Sequence, residues 1–195
     1  MGKRKYNYYA VKRGKVPGVY TSWEECQKQL KGFKGNCYKG FFIKEDAEEF
    51  LIDKQPKFCE AVAYTSGGYN IYTDHYGWCG VLVFQDKKHV VKGTSNDERV
   101  KSWSFAGKVK AVEETINKAI SLGIKSLKIY QDLHLLVNLA TKLNRPKLDS
   151  SREFVKFIDS KSKMIDLEFE YMPKNEKNPF MSESYNTMCD ILNIN

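Results

Sequence analysis

Apolar and polar positions change rhythm along the chain. Residues 8–12 (YYAVK) and 19–22 read as two short strands around Gly14, Pro17 and Gly18, which favour a turn. Thr21 or Ser22 then offers a hydroxyl cap for a helix beginning near Trp23, with Glu24 and Glu25 in the first turn, where the helix dipole favours negative charge. That helix ends before the glycines at 32 and 35. Residues 37–43 predict a third strand, and Lys44-Glu45-Asp46 opens a second helix running to about residue 52. The pattern is a ββαβα unit of about fifty residues, too small for a large core and suited to binding.

A polar stretch (DKQPK) follows, and the pattern becomes that of a larger unit. Residues 60–66 (EAVAYTS), 79–85 (CGVLVFQ) and 88–94 predict three consecutive strands. Residues 105–122 place Val109, Val112, Ile116, Ala119 and Ile120 on one helical stripe. A strand at 126–131 (SLKIYQ), helices at 132–143 and 150–161, an alternating strand at 165–172 and a helix at 180–192 complete the order βββαβααβα. The fold class expected is α/β (α+β): the small ββαβα domain over residues 1–53, a linker at 54–58, and a mixed five-stranded sheet with flanking helices over 59–195. No internal repeat or low-complexity tract interrupts this organisation.

Composition sharpens the division. The chain has 195 residues, 42% hydrophobic and 29% charged, which describes a globular protein. No apolar run is long enough to span a bilayer and the start, MGKRKYNYY, lacks a signal-peptide stretch, so the expectation is an intracellular, cytoplasmic protein without a membrane partner. The net charge of +8 is uneven: residues 1–44 hold eleven basic side chains against Glu24 and Glu25, a balance of +9, while residues 45–195 hold 21 basic and 22 acidic ones, a balance of −1. The basic segment is interleaved with Tyr6, Tyr8, Tyr9, Tyr20, Trp23, Phe33, Tyr38, Phe41 and Phe42. Lysines release counterions from phosphates and flat rings stack on sugars or bases, so a charged run this rich in rings reads as a folded nucleic-acid module.

The remaining chemistry is sparse. Five cysteines (Cys26, Cys37, Cys59, Cys79, Cys189) are odd in number and scattered, which argues for free, mostly buried thiols and against a disulfide framework or zinc site. His75, His89 and His134 show no metal-ligand spacing.

The N-terminal unit resembles the hybrid-binding domain of cellular ribonuclease H, also found in the viroplasmin proteins of plant pararetroviruses, through YYAVKRGKVPGVYTSWEEC, FKGNCYKG and KEDAEEFL. The resemblance implies a grip on the minor groove of RNA/DNA hybrids, and less tightly of double-stranded RNA. It implies that Trp23 and Tyr38 form an aromatic pair on the DNA backbone and that Lys39 is the adjacent basic contact; the family's frequent second lysine is Gly40 here. With their neighbours these give the expected nucleic-acid-binding set Tyr9, Lys12, Arg13, Trp23, Tyr38, Lys39 and Phe41.

Residues 58–192 are similar to the ribonuclease H catalytic domain through AVAYTSGGYN, FAGKVKAVEETI, LKIYQD and KNPFMSESYN. That family's chemistry uses two magnesium ions held by clustered carboxylates. On the resemblance the four carboxylate positions are Ser66, Lys108, Asp132 and Ser182, of which only Asp132 is acidic, with Glu183 one residue beyond the last; the assisting histidine of the family has no counterpart in residues 173–177. No carboxylate lies between Glu60 and Asp74 to replace Ser66. A serine does not bridge two dications and an ammonium repels them, so no catalytic residue, metal site or cofactor is expected, magnesium entering only if the site is rearranged. Lys108 is expected to approach Asp132 and pair with it in place of metal.

These readings give a non-catalytic ribonuclease H relative that binds RNA/DNA hybrid or double-stranded or structured RNA, with the second domain as scaffold or protein-contact surface. The alternatives are a ribosome- or rRNA-associated adaptor, and a hybrid-cleaving endoribonuclease with a rearranged metal site.

Overall fold

The computed structural model describes residues 6–33, 35–51, 59–173 and 177–194, which fall into two compact units divided after residue 57. The expected linker at 54–58, the basic residues Lys3, Arg4, Lys5 and Lys34, and residues 174–176 lie outside the described residues.

In the first unit, strands β1 (Tyr8–Arg13), β2 (Gly18–Tyr20) and β3 (Cys37–Phe41) form an antiparallel sheet in the order β2-β1-β3, with helices α1 (Trp23–Leu30) and α2 (Lys44–Leu51). Ser22 caps α1, its hydroxyl accepting the Glu25 N–H at 3.1 Å, which selects between the two candidate caps. The period of two along β1 feeds two cores. Tyr9 and Val11 pack with Cys26 of α1, and Ala10 packs with Phe41 and with Ala47 of α2. The two helices therefore cover opposite faces of the central strand.

The second unit contains β4 (Ala61–Asn70), β5 (His75–Phe84), β6 (Lys87–Ser95), α3 (Ser104–Ser121), β7 (Ser126–Gln131), α4 (His134–Ala140), α5 (Asp149–Lys161), β8 (Asp166–Tyr171) and α6 (Pro179–Leu192). The sheet order is β6-β5-β4-β7-β8, an antiparallel meander joined to two parallel strands. Ala63 and Leu82 of the sheet pack with Val112 and Ile116 of α3, Leu136 of α4 and Phe154 of α5 on one face. Cys79 and Val81 pack with Met188 and Leu192 of α6 on the other. Each fully buried large side chain contributes about 1.5–3 kcal/mol.

Three boundaries depart from the sequence reading. β4 continues past Ser66 to Asn70, β5 starts at His75 instead of residue 79, and α4 stops at Ala140. The first two share a cause. Gly67 and Gly68 pair with Trp78 and Gly77, so the ladder continues where the glycines suggest an end. A Cβ on Gly67 would overlap the Lys108 amide nitrogen and the Gly107 carbonyl carbon, so the missing side chain lets α3 lie directly on β4. Gly67→Ala is expected to destabilise the second unit at the upper end of the ~1–3 kcal/mol typical of overpacking, because the obstructing atoms are backbone. Thermal unfolding checks this, with an unchanged Tm as the contrary result.

No disulfide joins the cysteines among the described residues. Only Cys26 and Cys79 are buried and the other three are half-buried, fewer than the sequence suggested. Burial pushes the Cys26 and Cys79 thiols up, so both remain protonated packing groups. No helix among the described residues is long and apolar enough to cross a membrane.

Candidate nucleic-acid interface and the sheet end at Asp132

The expected binding residues divide between the two faces of the small sheet. Tyr38 lies opposite Val11 across the β1–β3 ladder, which turns its ring to the α1 side. There it meets Trp23, the first residue of α1, at 5.5 Å between ring centroids, and Trp23 meets Tyr9 at 5.4 Å. Tyr38 is 44% exposed, Trp23 is half-buried and Tyr9 is only 7% exposed. Tyr9 thus supports Trp23 from the core side, and Trp23 in turn supports Tyr38.

Lys39 lies opposite Ala10 and so faces the α2 side, its Nζ 5.7 Å from the Phe41 ring. Lys12 shares that side, with Nζ 5.8 Å from the ring of Phe50 in α2. Phe41 is 6% exposed and belongs to the core with Ala47. Tyr9 and Phe41 of the expected set are packed into the two cores of the small sheet, whose faces the two helices cover. Arg13, at the end of β1, is exposed. Partial burial holds the Lys39 ammonium below the usual lysine range. Since β3 is an edge strand, it presents Tyr38 to one side and Lys39 to the other of a single rim.

Two rings beyond the expected set join the α1 side. Tyr6 stands edge-on to Tyr9 at 6.2 Å and tilts against Phe42 at 5.0 Å. Asn7 holds this end in place: its N–H donates to the Phe41 carbonyl and its side-chain amide to the Phe42 carbonyl, each at 3.0 Å.

The four positions matched to catalytic carboxylates are differently disposed. Ser66 on β4 is 1% exposed, and its hydroxyl points to the Met181 sulfur of α6 at 3.8 Å. Lys108, in the first turns of α3, donates a short hydrogen bond from Nζ to the Asp132 carboxylate just beyond β7. The side chains of this pair are 10% and 2% exposed. The ion pair expected from the sequence is present. Next to it, the Asp132 N–H donates to Gln131 Oε1 at 2.7 Å, and Gln131 Nε2 donates to Thr65 Oγ1 at 3.1 Å. Ser182 is exposed on α6, and Glu183 is engaged by Lys88 Nζ of β6 at 2.7 Å.

A set of two hydroxyls, an ammonium and one carboxylate already bound to that ammonium does not fit a pair of magnesium ions, which take several oxygen ligands and prefer carboxylates. Among the described residues no three His, Cys, Asp or Glu side chains cluster to hold a metal. His134 is stacked on Tyr171 at 3.5 Å, and His75 Nδ1 lies 2.6 Å from the Thr73 carbonyl oxygen.

Residues 7–51 match the family described as the ribonuclease H1 N-terminal domain. Ribonuclease H of Schizosaccharomyces pombe is 40% identical over 78 residues, which cover 40% of this chain and 28% of that protein. Ribonuclease H of Saccharomyces cerevisiae is 44% identical over 48 residues, covering 25% of this chain and 14% of the yeast protein. The chain thus matches less than a third of either relative's length. Among solved structures, the N-terminal RNase H domain of a Mycobacterium tuberculosis protein superimposes with a TM-score of 0.59 at 14% identity, covering 70% of this chain and 97% of that one. LC11-RNase H1, solved in complex with RNA/DNA hybrid, gives 0.56 at 17% identity, covering 67% and 96%. Residues 7–51 are thus similar to the ribonuclease H1 N-terminal domain, and the unit that follows has the ribonuclease H fold.

Proposed function

We propose that this chain binds RNA/DNA hybrid, or double-stranded or structured RNA, through its basic aromatic N-terminal unit, and that its ribonuclease H-like unit is a non-catalytic scaffold. A contrast within the chain carries the reading. The first unit keeps an exposed aromatic rim beside lysines, whereas at the sheet end of the second Lys108 closes on Asp132. The match of residues 7–51 to the ribonuclease H1 N-terminal domain supports the first half.

RNA-containing duplexes are recognised by shape and 2′-hydroxyls across a wide, shallow minor groove. A gel-shift series at fixed salt is therefore expected to rank RNA/DNA hybrid first, double-stranded RNA second and double-stranded DNA last. Equal binding to all three would remove the hybrid-specific reading. In the same preparations, incubation of hybrid with magnesium or manganese is expected to leave the RNA strand intact. Cleavage that disappears in Asp132→Asn would instead establish a rearranged nuclease site.

A further inference from the structure

We infer that Tyr6 and Phe42 extend the aromatic rim into a longer track, which holds further nucleotides of the strand seated on Trp23 and Tyr38. The inference rests on the binding role proposed above for the rim and adds to its footprint. Five rings run in unbroken contact as Tyr38, Trp23, Tyr9, Tyr6 and Phe42, with neighbouring centroids between 5.0 and 6.2 Å apart. Only the middle of the row belongs to a core: Tyr9 is buried with Val11 and Cys26, whereas Tyr38, Tyr6 and Phe42 are 44%, 40% and 47% exposed. Exposed rings clustered on so small a unit keep a contiguous apolar area in water beyond what their mutual contacts bury, which is the mark of a contact surface.

The seat of Tyr6 is built into the backbone. Gly40 lies opposite Tyr9 on β3, and a Cβ there would overlap the Cγ, Cδ2 and Cε2 carbons of the Tyr6 ring. The ring thus occupies the volume that any other residue at position 40 would fill. Asn7 fixes Phe42 beside it through the two hydrogen bonds that continue the β1–β3 ladder beyond its last strand pair. An ordered, exposed aromatic row on a segment of charge +9 matches a polyanion whose sugars and bases offer flat or apolar faces between phosphates. Charge complementarity and continuity with Trp23 and Tyr38 both point to a nucleic-acid strand as the occupant.

The test compares RNA/DNA hybrids of increasing length, binding to the full chain at several salt concentrations. Phe42→Ser is expected to lose about tenfold in affinity on hybrids long enough to reach Phe42, to match wild type on shorter ones, and to keep its salt slope, because no phosphate contact is removed. Gly40→Val, which displaces the Tyr6 ring and leaves Phe42 unchanged, is expected to show the same length-dependent loss. Circular dichroism checks that both variants fold as wild type. Wild-type affinity of folded Phe42→Ser and Gly40→Val at every length, with Trp23→Ala weakened, overturns the extended track alone. Wild-type affinity of Trp23→Ala as well overturns the binding reading on which it rests.

Discussion

Lys108→Met will cost the second unit about 3–5 kcal/mol of folding stability, measured by denaturant or thermal unfolding. The lysine itself is only 10% exposed, and what it leaves behind is the Asp132 carboxylate, 2% exposed, without the ammonium that its side chain bonds. Removing one member of a buried pair is far more damaging than replacing both, because the desolvation cost of the survivor is no longer offset. The double variant Lys108→Met/Asp132→Asn is therefore expected to recover most of the loss. Lys108→Glu should be worse than the methionine variant, since it faces one buried carboxylate with another. If Lys108→Met unfolded like wild type, the pair would be solvated in solution and the closed sheet end would not exist.

Trp23→Ala will weaken binding to RNA/DNA hybrid by about 1–3 kcal/mol, roughly five- to 150-fold, and Tyr38→Ala by a similar amount. The rings touch at 5.5 Å, so the double variant should lose less than both single losses combined. Neither change removes a phosphate contact, and the dependence of log K on log salt should stay parallel to wild type. Lys39→Ala is the complementary case. Loss of one phosphate contact would lower that slope by about 0.7–0.9. Because burial holds the Lys39 ammonium below the usual range, its share of binding should also fade earlier as pH rises than that of an exposed lysine. Titration of each variant at several salt concentrations checks the set, and a Trp23→Ala variant with changed slope and unchanged affinity would contradict it.

Much of the architecture was legible because local signals agreed. The order of elements in both units follows from the periodicity, the Ser22 cap from the residues before Trp23, and the Lys108–Asp132 pair from the similarity of α3 and β7 to elements that bring two carboxylates together. Burial of Tyr9 and Phe41 was not legible. A strand with helices on both faces has no polar side, so alternation along β1 does not separate core from surface. The same geometry sends the neighbours Tyr38 and Lys39 to opposite sides, which the sequence reading treated as one cluster. The extension of β4 to Asn70 was hidden by Gly67 and Gly68, whose turn preference is overridden by the close seat of α3. Tyr6 and Phe42 were visible only as members of a ring-rich segment. Their pairing depends on the empty side of Gly40, a register fact that spacing does not reveal.

The ion pair at the sheet end also bears on how the site could be changed. Building a four-carboxylate magnesium site at this sheet end would need acids at positions 66, 108 and 182, and the first two changes meet resistance when made alone. Ser66→Asp would place a charge in a position 1% exposed against the Met181 sulfur, and Lys108→Glu would set two acids face to face. Before the set is complete there are too few carboxylates to bind the metal that would offset those charges. Lys108 thus sets the order of any such rebuilding: its pair with Asp132 has to be given up before enough carboxylates are present to hold a metal.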